Sequence, residues 1–203
     1  MTPGPNKVLK TTRTGALVKI ESLNSGSTAG ARFWTDGKRV APMMPDDSWL
    51  RRHPQSGELF WTDECEEVAT EVPWGDSNEF PGVPFANEPS LQDLQQVLAS
   101  GDASDEEKER YVRMRLWWAT NDPVRHGEVG VPKDPENLQK LLTLLDQQNA
   151  NQRLTAAEVC RELGDFDRVS SLLEFPFPKP YERAVQLIKT LAQQKDAEVH
   201  ELK

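Results

Sequence analysis

The chain has 203 residues, of which 36% are hydrophobic and 28% charged, and its formal net charge is −9. This length accommodates one domain of ordinary size or two small ones. No basic region joined to an apolar run is present near residue 1, and no stretch is long and apolar enough to span a bilayer, so we expect neither secretion nor membrane insertion. Two cysteines are too few for a disulfide framework, which favours a reducing cytoplasm.

Charge is distributed unevenly along the chain. Residues 1–62 hold nine Lys or Arg against five Asp or Glu, residues 63–110 hold two against fourteen, and residues 111–203 hold thirteen against fourteen. The acidic middle part would repel phosphate over about a quarter of the chain. Nucleic acid is therefore an unfavourable partner.

The first 72 residues carry the signals of a small β module. Residues 1–14 begin with prolines and a glycine and lack an apolar period, which predicts a flexible arm. Over residues 15–72, short β-prone runs alternate with turn residues. Asp36-Gly37 separates two such runs and favours a tight hairpin, because glycine accepts positive φ. We expect a small antiparallel β-meander here.

A turn with the outline of a metal-binding knuckle follows at His53-Pro54-Gln55-Ser56-Gly57. In a zinc knuckle, two cysteines separated by two residues bind one tetrahedral ion through their thiolates. His53 and Ser56 occupy those positions here, and a serine hydroxyl is a poor zinc ligand at neutral pH. We therefore expect the turn to form without the ion, and we assign no metal and no cofactor.

This turn, together with Phe33–Lys38 and Ala41–Pro45, resembles the N-terminal module of uncharacterised bacterial proteins that pair a zinc-ribbon-like module with a helical C-terminal region. The resemblance covers about residues 30–62. It implies a ribbon-like β module over residues 15–72 and brings no activity with it. Because both thiols of the knuckle are absent, it implies no metal role.

Residues 73–89 contain four prolines and are predicted to be neither helix nor central strand. The same stretch contains Trp74, Phe80, Val83 and Phe85, which a solvated tether would not need. We expect an irregular strap laid across a neighbouring apolar surface. The alternative is a docking strip for a partner protein.

Residues 90–203 are predicted to form a helical bundle, so the fold class is α+β, with a β-meander head followed by helices. Capping residues and apolar stripes predict helices that begin near Ser90, Ser104, Asp134, Asn151, Asp165 and Pro180. Leu163–Val169 resembles the turn of a tetratricopeptide repeat, in which small residues let two helices approach. No second copy is present, and we expect one repeat-like helical hairpin.

An aromatic stripe occupies one of these helices. At 100° per residue, Tyr111, Met114 and Trp118 share one face, which we expect to be buried. Trp117 lies on the other flank and is expected to be partly exposed. Trp and Arg are favoured as interface anchors. The candidate partner-binding residues are Arg113, Arg115 and Trp117 on this helix, and Trp74 and Phe80 on the strap.

No residue is assigned a catalytic role. His53, Cys65, His126 and Cys160 lie on separate segments without the paired spacing of metal sites. Acidic neighbours of Cys65 disfavour a reactive thiolate, and Cys160 has the spacing of a buried apolar residue. His126 with Asp122 is interpreted as a local turn. Glycine-rich phosphate loops are absent.

The leading interpretation is a noncatalytic protein-interaction module, an adaptor, regulator or immunity-like binding partner of another protein in a bacterial cytoplasm. Two alternatives remain open. One is a hydrolase or transferase with a site between head and bundle, built from His53, His126 and acidic residues. The other is a degenerate nucleic-acid-binding ribbon, which would use the basic residues Lys38, Arg39, Arg51 and Arg52 near Trp34 and Trp49. The sequence specifies neither the partner nor the oligomeric state.

Overall fold

The computed structural model describes residues 1–72 and 79–203, and it confirms the α+β class. The described residues divide into two compact units. The N-terminal unit consists of Met1–Ala31 and Ala41–Asp93, and the helical unit consists of Arg32–Val40 and Leu94–Lys203. The predicted β module is thus interrupted, because its central hairpin belongs to the helical unit.

The strands are short, as the many prolines and glycines dictate. They are β1 Thr2–Pro3, β2 Asn6–Lys10, β3 Leu17–Ile20, β4 Leu23–Ser25, β5 Arg32–Phe33, β6 Arg39–Val40, β7 Leu50–Arg52, β8 Leu59–Trp61 and β9 Glu66–Glu71. All their pairings are antiparallel: β3-β2-β9 form a three-stranded sheet, and β1-β4, β5-β6 and β7-β8 form pairs.

The prediction of a flexible arm over residues 1–14 is wrong. Strand β2 is the central strand of the three-stranded sheet, and its Val8 and Leu9 are buried at 0% and 3% exposure. Strand β2 is hydrogen-bonded to β3 on one side and to β9 on the other. This long-range pairing overrides the local signal of Pro3, Gly4 and Pro5. The apolar cluster on this side of the unit consists of Leu9, Val18, Ile20 and Phe60.

The part of the predicted strap that the structure describes pairs with two strands of the N-terminal unit. The Lys19 N–H donates to Pro84 O at 2.8 Å, and the Ala86 N–H donates to Lys19 O at 2.9 Å. Arg52 and Asn87 exchange two backbone hydrogen bonds of 2.9 Å. The predicted partner-binding residue Trp74 lies outside the described residues.

The helices of the described residues are α1 Leu91–Ser100, α2 Glu106–Arg125, α3 Pro135–Thr143, α4 Ala150–Glu162, α5 Phe166–Leu172 and α6 Glu182–Gln193. Side-chain caps fix several of their starts: Asp134 accepts from the Asn137 N–H at 3.0 Å, and Asp165 from the Arg168 N–H at 3.2 Å. Both starts agree with the prediction, since Asp satisfies an amide that the first turn leaves unbonded.

Helices α4 and α5 form a hairpin whose turn is closed by Gly164. This residue has φ +81°, a conformation that glycine adopts without steric cost. The Gly164 N–H donates to Arg161 O at 3.0 Å and the Asp165 N–H to Cys160 O at 2.9 Å, which is the hydrogen-bond pattern of a Schellman cap. Helix α4 therefore ends at Glu162, and α5 begins at Phe166, directly after Asp165.

The core of the helical unit lies between α2, α3, α4, α5 and α6. It contains the buried residues Trp117, Leu138, Leu141, Leu145, Ala156, Ala157, Val159, Cys160, Val169, Leu172, Leu173, Ile188 and Ala192. Cys160 is fully buried, in agreement with its interpretation as a small core residue. Within the described ranges, no helix has both the length and the apolar composition that crossing a membrane requires.

The β5-β6 hairpin turns at Asp36-Gly37 as predicted, with Gly37 at φ +80°. A tail segment, residues 196–203, adds a third extended piece to it. The Thr35 N–H donates to His200 O and the Leu202 N–H to Phe33 O, both at 2.8 Å. Arg161 donates hydrogen bonds to Asp196 O and to Glu198 O, and these bonds hold the tail segment against α4.

Candidate functional site

Two turns of the N-terminal unit share one spacing. Thr11-Thr12-Arg13-Thr14-Gly15 joins β2 to β3, and His53-Pro54-Gln55-Ser56-Gly57 joins β7 to β8. In each, two polar residues separated by two positions precede a glycine of positive φ, +69° for Gly15 and +74° for Gly57. Sequence reasoning found the second turn and missed the first, although the repeated spacing was a usable signal. We call the two turns the turn pair.

The carboxylate of Glu58 joins the turn pair. It accepts hydrogen bonds from Thr11 Oγ1 at 2.9 Å, from the Arg13 N–H at 3.0 Å, from the Thr14 N–H at 3.3 Å and from Thr14 Oγ1. Burial works to raise the pKa of Glu58, but these hydrogen bonds outweigh it and hold the pKa below its ordinary value of 4.5. Glu58 is thus a buried carboxylate kept in its charged form.

His53 is committed to the geometry of its own turn. Its Nδ1 accepts hydrogen bonds from the Gln55 N–H at 3.3 Å and the Ser56 N–H at 3.1 Å, and its Nε2 lies 3.2 Å from Leu17 O. These partners place the ring proton on Nε2, which donates to Leu17 O. Neither nitrogen has a lone pair to offer to a metal ion or a substrate.

The turn pair is therefore joined by hydrogen bonds: the Glu58 carboxylate, directly after one turn, accepts from side-chain and backbone donors of the other turn. Among residues 1–72 and 79–203, no group of three or more His, Cys, Asp or Glu side chains is arranged to hold a metal ion.

A second polar cluster lies in the helical unit around Glu162 of α4, and we call it the Glu162 cluster. Trp117 Nε1 donates to Glu162 Oε2 at 2.9 Å. Lys133 Nζ lies 2.7 Å from Glu162 Oε2 and 2.7 Å from Asn121 Oδ1. Asn121 Nδ2 donates to Glu162 Oε1 and to Asp36 Oδ2, both at 3.0 Å. The cluster thus connects the hairpin, α2, the segment before α3, and α4.

Arg125 completes the cluster on the hairpin side. Its guanidinium pairs with Asp36, and it donates to Asp122 Oδ1 at 2.7 Å and to Trp118 O at 2.8 Å. The Asp36 side chain is fully buried, and that of Arg125 is 3% exposed. Lys38 of the hairpin pairs with Asp122 at 2.6 Å. The Asp36 carboxylate is thereby neutralised where water is excluded, and the Asp122 carboxylate, whose side chain is 33% exposed, is paired closer to solvent.

Burial of Glu162, with the nearby charge of Glu158, raises the pKa of Glu162 to about 7, although Lys133 and the Trp117 hydrogen bond oppose the shift. Both carboxylate oxygens of Glu162 and both polar atoms of Asn121 have partners. Among the buried polar side-chain atoms of the cluster that the structure describes, Arg125 Nε alone has no hydrogen-bond partner. The arrangement holds the hairpin to the helices and offers no vacant base or nucleophile.

The expectation that Trp117 is partly exposed is wrong, because its side chain is 1% exposed and belongs to the core. Trp118, expected in the core, is only half-buried and donates through Nε1 to Asp36 O at 3.0 Å. The buried face of α2 includes Asn121 and Arg125. A pattern of apolar residues alone could not find a face that contains these polar side chains.

Arg113, Arg115 and Phe80, the other predicted partner-binding residues that the structure describes, are partly buried. Arg113 donates to Glu109 Oε1 at 2.8 Å and to Asn137 Oδ1 at 3.3 Å. Arg115 lies over the Tyr111 and Trp118 rings, 5.2 and 5.8 Å from their centroids. Phe80 donates its N–H to Glu71 Oε1 at 3.0 Å in the N-terminal unit.

The residues proposed for nucleic-acid binding are largely engaged. Arg51 pairs with Glu88, Arg52 lies 3.6 Å from Asp93, and Lys38 pairs with Asp122 as described above. Trp34 is 6% exposed and cannot stack on a base. Three of the four basic residues are thus paired and one of the two tryptophans is buried, whereas Trp49 is 43% exposed; the pairing weakens the nucleic-acid alternative, which requires free positive charge.

Neither cysteine is suited to nucleophilic attack. Burial, with the charges of Glu58 and Glu64, raises the pKa of the Cys65 thiol to about 11. Burial raises the pKa of Cys160 to about 11 as well. The thiolate is the reactive form, and both environments disfavour it. His126 donates its backbone N–H to Asp122 O at 3.1 Å, which is the contact of a helix end.

An exposed aromatic loop lies between α5 and α6. Phe175 is 62% exposed, whereas the neighbouring Phe177 packs against the core. Arg153 of α4 lies over both rings, 5.7 and 4.4 Å from their centroids, and donates to Pro176 O at 3.0 Å. Pro178 has φ −57° and ψ 147°, the values of a polyproline II helix. The loop thus presents the large apolar ring of Phe175, and Arg153 contacts the loop through that ring and through Pro176 O.

Sequence reasoning missed Glu58, Glu162 and the aromatic loop, because single acidic residues and prolines carry no motif by themselves. Comparison of the chain with known protein families, with curated proteins and with solved structures finds no match.

Proposed function

We propose that this chain is a noncatalytic protein-interaction module of a bacterial cytoplasm. The observation that carries the proposal is the 62% exposure of Phe175 on a loop that prolines and Arg153 hold in place. Large aromatic side chains presented without an entropy cost are typical anchors of protein interfaces. The free thiols of Cys65 and Cys160 suit a reducing compartment.

The polar clusters support a noncatalytic role. Glu58 accepts four hydrogen bonds, and Glu162 is enclosed by Lys133, Trp117 and Asn121. A general base or nucleophile must reach a substrate atom, and these groups are already occupied by structural partners. The same contacts weigh against the hydrolase or transferase alternative, since both His53 nitrogens are hydrogen-bonded.

We further propose that the N-terminal unit is a zinc-ribbon-like module in which Glu58 replaces the ion. The equal spacing of the turn pair and the positive φ of Gly15 and Gly57 support this relationship. The α4-α5 hairpin, closed by Gly164, supports a tetratricopeptide-repeat-like element in the helical unit. A single hairpin of this kind would act as a scaffold for the aromatic loop and would not build a repeat groove.

The interaction proposal is tested by affinity capture followed by reconstitution. The wild-type chain and a Phe175→Ala variant are used as baits in lysate of the source cells, and a retained protein is purified and titrated against both. Removal of an anchor ring should weaken binding by about 30-fold or more. Val129→Ala is the matched control, because Val129 is 91% exposed in the same unit. Equal affinity of the Phe175→Ala and wild-type chains would contradict the proposal.

A further inference from the structure

The tail segment, residues 196–203, lies against the hairpin and α4, and we call the surface that holds it the tail cradle. Arg32 of the hairpin donates to both carboxylate oxygens of Glu201, at 3.0 and 2.7 Å. Val199 is 3% exposed, and Arg161, which donates to two carbonyl oxygens of the tail segment, is 0% exposed. An empty cradle would expose Val199 and leave the Arg161 donors without these acceptors, which is costly.

The connection between α6 and the tail segment is strained. Its central residue, Lys195, has φ +55° and is the one residue other than glycine with a positive φ within the described ranges. The Lys195 N–H donates to Ala192 O and the Asp196 N–H to Leu191 O, both at 3.0 Å, in the same Schellman pattern that Gly164 forms at the end of α4. A residue with a Cβ atom pays a steric cost in this left-handed conformation, whereas glycine does not.

We infer that the tail segment is exchanged between two copies of this chain, so that residues 196–203 of each copy lie in the tail cradle of the other. Exchange preserves the contacts of the tail segment, because the same atoms meet in the same cradle. It also releases Lys195 from the left-handed region, since a short connection under strain favours an open hinge. A second copy of the chain is thus the partner whose chemistry fits the cradle. This homodimer goes beyond the proposed interaction with another protein and does not depend on it.

The first test varies the hinge. Association costs translational and rotational freedom, so the dimer fraction should rise with concentration when the full chain is unfolded in urea, refolded and examined by analytical ultracentrifugation. Lys195→Gly removes the strain of the closed turn and should raise the Kd of the dimer by about 10-fold, because each dimer contains two hinges. Lys195→Ala is the matched control. It removes the charge but keeps a Cβ atom, and it should dimerise as the wild type does.

The second test uses the Arg32–Glu201 ion pair to show which copy supplies the tail segment. Arg32→Glu and Glu201→Arg each place like charges together, both in the monomer and in an exchanged homodimer. In an exchanged heterodimer of the two variants, each tail segment meets a cradle of opposite charge. Native mass spectrometry of a mixture that is refolded together should therefore find about 10-fold more heterodimer than either homodimer.

The double variant Arg32→Glu/Glu201→Arg is the control for this mixture, because it restores the ion pair within one chain. Mixed with the wild type, it should form fewer heterodimers than homodimers, since exchange between the two chains would again place like charges together. Circular dichroism shows whether each variant is folded. If the single charge variants are not, the comparison of Lys195→Gly with Lys195→Ala decides the matter.

Three outcomes would overturn the inference. In the first, the wild-type chain stays monomeric at every concentration. In the second, dimers form but both mixtures contain heterodimers at the random proportion, which would mean that another surface joins the copies. In the third, Lys195→Gly and Lys195→Ala dimerise with equal Kd, so that strain at the hinge does not drive exchange.

Discussion

Thr11 and Glu58 lie 47 residues apart in the chain and are joined by a 2.9 Å hydrogen bond between Thr11 Oγ1 and Glu58 Oε2. Thr11 is 2% exposed and Glu58 is 7% exposed, so this contact lies inside the N-terminal unit. Three further donors of the first turn bond to the same carboxylate. Glu58 therefore holds the two turns of the turn pair together.

Replacement of Glu58 by Ala should therefore destabilise the chain by about 2–4 kcal/mol, since it leaves buried donors without an acceptor. Urea unfolding measures the change. Glu66→Ala is the control, because Glu66 is exposed on β9 and should cost no more than about 0.5 kcal/mol. Equal effects of the two substitutions would mean that the carboxylate does not join the turns.

The lowered pKa of Glu58 makes its contribution depend on pH. Its stabilising effect should be present above the ordinary pKa of 4.5 and be lost as the pH falls through the lower value of the folded state. The difference in unfolding free energy between wild type and Glu58→Gln should therefore shrink as the solution is acidified below that value. A difference that stays constant from neutral to acid pH would contradict this expectation.

Glu162 should show the opposite dependence. Its pKa rises from 4.5 to about 7 on folding, so the folded chain holds the proton more tightly and stability should fall as the pH rises across this interval. The shift corresponds to an upper limit of roughly 3 kcal/mol. Thermal unfolding of wild type and Glu162→Gln between pH 4 and 8 would measure it, and the slope should flatten in the variant.

The two adjacent tryptophans of α2 should differ strongly in their effect on stability. Trp117→Ala removes a 1% exposed ring and should cost about 3–5 kcal/mol. Trp118→Ala removes a half-buried ring with one hydrogen bond to Asp36 O and should cost about 1–2 kcal/mol. Denaturant unfolding of the two variants gives the comparison, and a larger loss in Trp118→Ala would reverse the assignment of the core face.

The ribbon proposal can be tested by installing the absent ligands. We expect a tetrahedral four-thiolate zinc site to form when cysteine replaces the two polar residues of each turn, Thr11, Thr14, His53 and Ser56. The same variant carries Glu58→Ala, which removes the side chain between the turns. Elemental analysis should find about one zinc per chain, and Co²⁺ should give a thiolate charge-transfer spectrum. The control carries only the two cysteines of the first turn. If both variants retain the same amount of zinc, the turn pair does not have ribbon geometry.

Local signals in the sequence predicted several elements correctly. The Asp36-Gly37 hairpin and the helix starts after Asp134 and Asp165 depend on residues within a few positions of one another, and the structure contains all three. The α+β class follows from the same signals. Each of these features is decided by backbone conformations and caps that short segments adopt by themselves.

The clusters around Glu58 and Glu162 depend on contacts across long stretches of chain. Asn121 meets Asp36 across 85 residues and Glu162 across 41, and no periodicity marks such a meeting. The error over Trp117 has the same origin, because Asn121 and Arg125 are buried only through their partners on the hairpin and α4. From sequence alone, a polar residue is predicted to be exposed to solvent, because the partner that would allow its burial is not known.

The hairpin of residues 32–40 and the tail segment are joined by the Arg32–Glu201 ion pair at a separation of 169 residues. At a synthesis rate of about 5–20 residues per second, roughly 10–30 s pass between translation of the hairpin and translation of its partner. The N-terminal unit is fully synthesised well before that moment, since it ends at Asp93. On the ribosome, the hairpin must therefore remain without the tail segment while the segments on either side of it can already fold.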